Sequence, residues 1–145
     1  MEPDLVPVYE PQYELIDGNR LGLRVASAAV AQLPQPELAG QYTRLEKLNA
    51  EQHAAVLFAA FNGHDTLWNY MPQGPFNQEE EFRTWVQSVE SGADPYFYAL
   101  IDREMNKALG LASFLRIDPT ARTIEVGWIT FSPQLQHSRI ATEAM

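Results

Sequence analysis

The sequence predicts an α+β fold, a mixed, largely antiparallel central sheet with flanking helices. Three observations carry this prediction. From residue 40 onward, two capped amphipathic helical stretches are followed by three strand-like runs joined by short polar turns. The last of those runs then passes through a short loop into a new helix.

Residues 1–39 read as an arm, punctuated by Pro3, Pro7, Pro11, Pro34 and Pro36. Within it Asp17-Gly18-Asn19 is a turn signal, Leu21–Val25 a short strand after that turn, and Ala26–Gln32 a weak helical pattern. The domain proper is expected over residues 40–145.

Gln41–Leu48 places Tyr42, Leu45 and Leu48 among polar residues, which fits a half-buried strand. Asn49 then serves as N-cap with Gln52 at the capping-box position, and Ala54, Leu57, Phe58 and Phe61 form one apolar stripe. Asn62-Gly63 ends that helix. A second helix opens at Asn77, with Glu80 at the capping-box position and Phe82, Trp85, Val86 and Val89 as its stripe. Glu79, Glu80 and Glu81 sit near the positive helix end and read as a solvated first turn, and Ser91-Gly92 is the stop.

Pro95–Ile101, Ala108–Ile117 and Thr123–Phe131 predict an antiparallel meander. Period-two alternation puts Leu109, Leu111, Leu115 and Ile117 on one face of the middle strand. In the last strand it puts Ile124, Val126 and Trp128 on one face and Ile129 and Phe131 on the other. A strand apolar on both faces is expected to be central and covered on both sides. Ser132-Pro133 closes it, because proline cannot donate to a ladder.

Composition narrows the chemistry. The 145 residues are 46% hydrophobic and contain no cysteine, so the chain should fold, and disulfides, thiolate nucleophiles and sulfur-ligated zinc are excluded. A net charge of −9 argues against a nucleic-acid partner, and any anionic ligand must be held locally. No apolar run is long enough for a spanning helix, and the start lacks the order of a secretion signal, so the expected location is the cytoplasm, with no membrane partner. His53, His64 and His137 are too scattered for a metal site.

The final strand, loop and helix are where a ligand would sit. A helix start presents unpaired N–H donors and the positive end of its dipole to one spot, which suits a pyrophosphate. Ala141 is small enough to let such a group approach the backbone, and His137 or Arg139 offers a side-chain cation.

Gln136-His137-Ser138-Arg139-Ile140-Ala141 occupies the slot of a pattern that runs Gln or Arg, two variable residues, Gly, one variable residue, Gly or Ala. With the preceding element order and Glu125-Val126-Gly127-Trp128-Ile129 in the last strand, residues 40–145 resemble the GCN5-related N-acetyltransferase (GNAT) family. Ala141-Thr142-Glu143-Ala144 is similar to the helix opening of its subgroup that modifies ribosomal-protein N-termini, and of small-molecule relatives.

The resemblance implies an acyl-CoA N-acyltransferase-like fold with acetyl-CoA as co-substrate and a primary amine as acceptor, either a protein N-terminus or a small molecule. It implies that Thr130 and Phe131 meet the pantetheine arm through the main chain, and that Gln136, His137, Ser138, Arg139, Ile140 and Ala141 hold the pyrophosphate. Arg139 departs from the pattern, standing at the first glycine. If that site needs positive φ, arginine is strained there by about 1 kcal/mol or more; either the loop keeps helical geometry or binding is impaired.

Glu125 is the one carboxylate inside a predicted core strand, and the resemblance places that strand on the acceptor side. Two roles stay open, a general base and a surface partner of Arg116 on the neighbouring strand. Trp68, Tyr70, Met71 and Pro72 either shape an acceptor pocket or pack as core aromatics. The resemblance further implies that a fifth strand, a further helix, two final strands and the usual Tyr or Ser acid follow residue 145. A chain of this extent should have little activity alone and should form a homodimer through its uncovered strand, Thr123–Phe131. A non-catalytic CoA-binding module and a structural or oligomerisation domain are the alternatives.

Overall fold

The computed structural model describes residues 13–16, 19–23 and 34–145. Two compact units divide between Ala31 and Gln32. In the first, β1 (Tyr13–Ile16) pairs antiparallel with β2 (Asn19–Leu23), and Ile16 opposite Asn19 leaves only Asp17 and Gly18 between them. Arg24, Val25 and the helical pattern expected over 26–32 lie outside the described residues.

In the second unit five strands lie side by side in chain order, each antiparallel to the next: β3 (Glu37–Ala39), β4 (Thr43–Lys47), β5 (Tyr96–Asp102), β6 (Lys107–Asp118) and β7 (Thr123–Phe131). Helices α1 (Ala50–Phe61) and α2 (Glu79–Val89) pack on one face of this sheet. A short helix, α3 (Arg139–Ala144), packs near β4 on the other.

Capping explains where the helices start. The Asn49 side chain accepts from Gln52 N at 3.0 Å, but the return bond of the cap comes from His53, whose Nδ1 accepts from Asn49 N at 3.0 Å. A backbone N–H can only donate, so the neutral His53 ring carries its proton on Nε2, 3.1 Å from Glu46 Oε2. Gly63, with φ of 78°, takes the left-handed conformation just past the end of α1. Helix α2 starts one residue later than expected: Gln78 is its cap, and Glu81 rather than Glu80 accepts from Asn77 N and Gln78 N.

Alternation along β5 divides the core. Phe97, Ala99 and Ile101 face α1 and α2, whereas Tyr96, Tyr98 and Leu100 face α3. Three irregularities then break the expected pattern, the last where Leu115 opposes Glu125 while Asp118 opposes Thr123. Leu100 opposes Gly110 while Ile101 opposes Ala108, so Leu109 is an extra residue, and it faces α3 while Leu111 faces α1 and α2. Further on, Ser113 opposes Gly127 while Leu111 opposes Thr130, which sets Trp128 and Ile129 against Ala112 alone. Trp128 takes φ of 52° at this second bulge and packs its ring 5.3 Å from Phe97 on the α1–α2 side. Val126 instead lines a hollow on the α3 side. Ile124, Val126 and Trp128 therefore do not share one face.

Strand β7 is not central. It is the sheet's edge, because among the described residues no strand pairs with its outer side, and Ile124, Val126 and Ile129 remain 39%, 47% and 44% exposed.

Candidate functional site

The segment joining β7 to α3 is a compact turn built on one anchor. Leu135 is fully buried and lies directly over Gly110, where a side-chain carbon would come within 2.6 Å of it. Leu135 N and Gln136 N both donate to Ser132 O, and Gln136 Nε2 donates to Phe131 O at 3.0 Å. The Ser138 hydroxyl donates to Leu135 O at 2.6 Å and accepts from Ala141 N at 3.1 Å, which makes Ser138 the N-cap of α3. The first-turn donors not taken by this cap belong to Arg139 and Ile140.

These bonds fix the backbone question that Arg139 raises. Positive φ falls on His137, at 57°, two residues earlier, and Arg139 is the first residue of α3. The loop keeps helical geometry at Arg139, so the expected strain is absent there and is carried by the histidine.

Around this turn Phe131, Gln136, His137, Ser138, Ala141 and Thr142 border one open cavity of about 430 Å³. Five of the eight residues expected to meet the cofactor thus converge. Arg139 and Ile140 turn to a different hollow, with Gln41, Tyr42, Asp102, Arg103 and Glu104, where the Arg139 guanidinium lies 4.2 Å from the centroid of the Tyr42 ring. The Thr130 side chain is buried and its hydroxyl has no partner among the described residues, so a ligand beside β7 would meet Thr130 through its main chain.

Glu125 pairs with Arg116, Nη1 to Oε2 at 2.5 Å, with both side chains exposed to solvent. Since Val126 points to the α3 side, Glu125 and Gly127 point to the α1–α2 side, where Trp128 joins them. Trp68 is a core residue, edge-on to Phe61 at 5.5 Å and to Phe76 at 5.2 Å. Met71 packs against the same core, and Tyr70 is 99% exposed. Among the described residues no group of His, Asp and Glu could hold a metal, and no helix is long and apolar enough to cross a membrane.

Sequence reasoning missed Glu143. Its carboxylate, on α3, accepts from three consecutive backbone N–H groups, those of Gln41, Tyr42 and Thr43, each at 2.7 Å. Desolvation works to raise its pKa, yet these N–H groups together with Arg103 hold it below the usual carboxylate range. The four-residue match at Ala141–Ala144 was the only signal at that position.

Comparison with known proteins fits this geometry. The family model for the acetyltransferase (GNAT) domain matches residues 43–145. A GCN5-related N-acetyltransferase from Brucella melitensis is 34% identical, with a TM-score of 0.73, covering 77% of this chain and 52% of that one. A GNAT-family acetyltransferase from Chromobacterium violaceum ATCC 12472 is 31% identical, with a TM-score of 0.74, covering 86% and 63%. The ribosomal-protein-S5-alanine acetyltransferase from Vibrio fischeri is 14% identical at a TM-score of 0.54, covering 74% and 62%, a likeness of fold alone. Comparison with curated proteins returns no match. The chain spans less than two thirds of the length of the Brucella and Chromobacterium proteins. It belongs to the GNAT family of acetyltransferases.

Proposed function

We propose that this chain forms the coenzyme side of a cytoplasmic enzyme that moves an acetyl group from acetyl-CoA to a primary amine. The observation that carries the reading is the open cavity bordered by Phe131, Gln136, His137, Ser138 and Ala141 beside the free edge of β7, in a chain of this family. The pyrophosphate rests on the loop, taking main-chain N–H groups of Arg139 and Ile140, while the pantetheine arm follows the main chain of Thr130 and Phe131. The neutral amine attacks the thioester carbonyl carbon, the carbon–sulfur bond breaks, and the thiolate takes up a proton as the amine gives one up.

Glu125 is the proton acceptor in this reading. Its support is position: it lies on the α1–α2 side of β7, the side to which the Trp128 bulge turns. Its ion pair with Arg116 supports the purely structural role instead, and turnover of Glu125→Gln separates the two. The acceptor classes are a protein N-terminus and a small-molecule amine. Release of free CoA thiol from acetyl-CoA, measured against panels of peptides and of small amines, tests the reading. Amine-dependent release is expected of the full-length protein and little of this chain alone, and coenzyme binding by the full-length protein with no release on any amine would favour a non-catalytic module.

The open side of β7 favours one assembly. Its unpaired main-chain groups and the exposed Ile124, Val126 and Ile129 suit pairing with a second copy. Light scattering over a concentration series should give the mass of a dimer, and a monomer at all concentrations would remove this part of the reading.

A further inference from the structure

The turn between β3 and β4 is held from both sides. From the sheet, Arg103 N donates to Tyr42 O at 3.0 Å and the Arg103 guanidinium donates to Gly40 O, while Gly40 N closes on Thr43 O at 2.9 Å. From α3, the Glu143 carboxylate takes the three N–H groups of Gln41, Tyr42 and Thr43. Three successive N–H groups aimed at one point form a nest for an anion, and here the anion belongs to the chain. One helical turn before Glu143, Arg139 lays its guanidinium over the Tyr42 ring. Residues four apart share a helix face, so both side chains grip the same turn.

The residue at the front of the nest is suited to this contact. A side-chain carbon on Gly40 would stand 2.5 Å from the Glu143 carboxyl carbon and from Oε2. Any larger residue would push the carboxylate out. The grip also acts at leverage: α3 has six residues, too few to hold a position by its own hydrogen bonds. Beside the Leu135 anchor, the burial of Ala141 and the partly buried Ile140 and Ala144, this pair of contacts ties α3 to the β3–β4 turn.

We propose that Glu143 and Arg139 are positioning residues, which lock α3 to the β3–β4 turn and so set the Gln136–Ala141 loop in its ligand-holding shape. Neither side chain touches the ligand; for Arg139 only the main-chain N–H does, in the function proposed above. The part that concerns coenzyme affinity rests on the function proposed above. The part that concerns loop order stands without it.

Hydrogen exchange and coenzyme A titration on the same variants separate these two parts. Glu143→Ala is expected to speed exchange at Gln41–Thr43 and at 136–141 together, leaving α1 amides unchanged. It should also weaken coenzyme A binding about tenfold, with kcat at saturating acetyl-CoA within about twofold of wild type. Gly40→Ala, which lies outside α3, should reproduce the effect by displacing the carboxylate, and adding it to Glu143→Ala should cost nothing more, because the contact it disturbs is already gone. Arg139→Met should weaken binding less than Glu143→Ala. Unchanged exchange at 136–141 in Glu143→Ala would overturn the proposal, as would full additivity of the two substitutions. If the wild-type chain binds no coenzyme A, the functional reading falls while the exchange result still decides the grip.

Discussion

The two faces of the sheet are held in different ways. On the α1–α2 side Phe82 is fully buried and touches Phe58, Phe61, Trp68, Phe76 and Trp85 at centroid distances of 5.3 to 6.4 Å, a continuous aromatic layer. On the other side the apolar cluster is smaller, a hollow of about 370 Å³ opens beside Tyr98, Phe114 and Val126, and α3 is tied down by Ala141, Ile140 and Ala144 after the Leu135 anchor, with one carboxylate and one guanidinium. Dispersion and burial make the aromatic layer itself insensitive to pH and salt, although the start of α1 also uses carboxylates, Glu90 accepting from Ala50 N and Glu46 beside His53. Hydrogen bonds donated to an exposed carboxylate make the second adjustable, and the proposed coenzyme loop is on this second, softer face.

Breaking the aromatic layer should therefore have the largest effect on stability. Phe82→Ala is expected to cost about 3–5 kcal/mol, read as a drop in the midpoint of denaturant unfolding. Leu135→Ala, the single large anchor of the softer face, should cost about 2–3 kcal/mol, the lower part of the range for such truncations because the open cavity lets the turn relax. It should also disorder 136–141, which Phe82→Ala should not do in molecules that remain folded. Asn49→Ala removes only a cap and should cost about 1 kcal/mol by the same measurement.

Acid should distinguish the faces too. The Glu143 carboxyl has its folded pKa below the ordinary 4.5, so its contribution is fully present above that value and is lost as pH falls through the lower folded value. Protection at Gln41–Thr43, taken relative to the intrinsic exchange rate at each pH, should fall over that window in wild type and show no such step in Glu143→Gln, while α1 amides facing the aromatic layer should show no matching step. The smallest structural effect is expected from Glu125→Gln, which leaves a partly exposed pair. Its signature is kinetic: turnover falls more than tenfold with coenzyme affinity unchanged if Glu125 takes the amine proton.

The sequence made the capped helices and the antiparallel meander legible because their signals are local. Asn49 announces α1 within four residues, and the runs of β5, β6 and β7 carry their own alternation. The bulges at Leu109 and Trp128 carry only a faint mark, an adjoining glycine in each strand (Gly110 and Gly127) that period-two alternation does not use, and they reverse the faces assigned to Leu111 and Trp128. Glu143 was hidden for a different reason. Its partners are backbone N–H groups 100 to 102 residues earlier, which any residue type could supply. Gln78 could not be told from Asn77 as the α2 cap because either side chain can accept from the first turn.

The site was half legible. Loop and helix start were readable from Gln136 to Ala141, but the division between residues that border the cavity and Arg139, which stacks on Tyr42, depends on how α3 is rotated against β4. That rotation is a tertiary fact.

Calorimetric titration of coenzyme A into wild type and Ala141→Trp tests the central claim most directly. Ala141 is 7% exposed and borders the cavity between Ser138 and Thr142, so an indole there fills the approach to the loop. Binding by wild type and its loss in a variant whose α1–α2 layer remains folded, by near-ultraviolet circular dichroism, is the predicted result. Equal affinity in the two proteins would contradict the assignment of the Gln136–Ala141 loop as the coenzyme site.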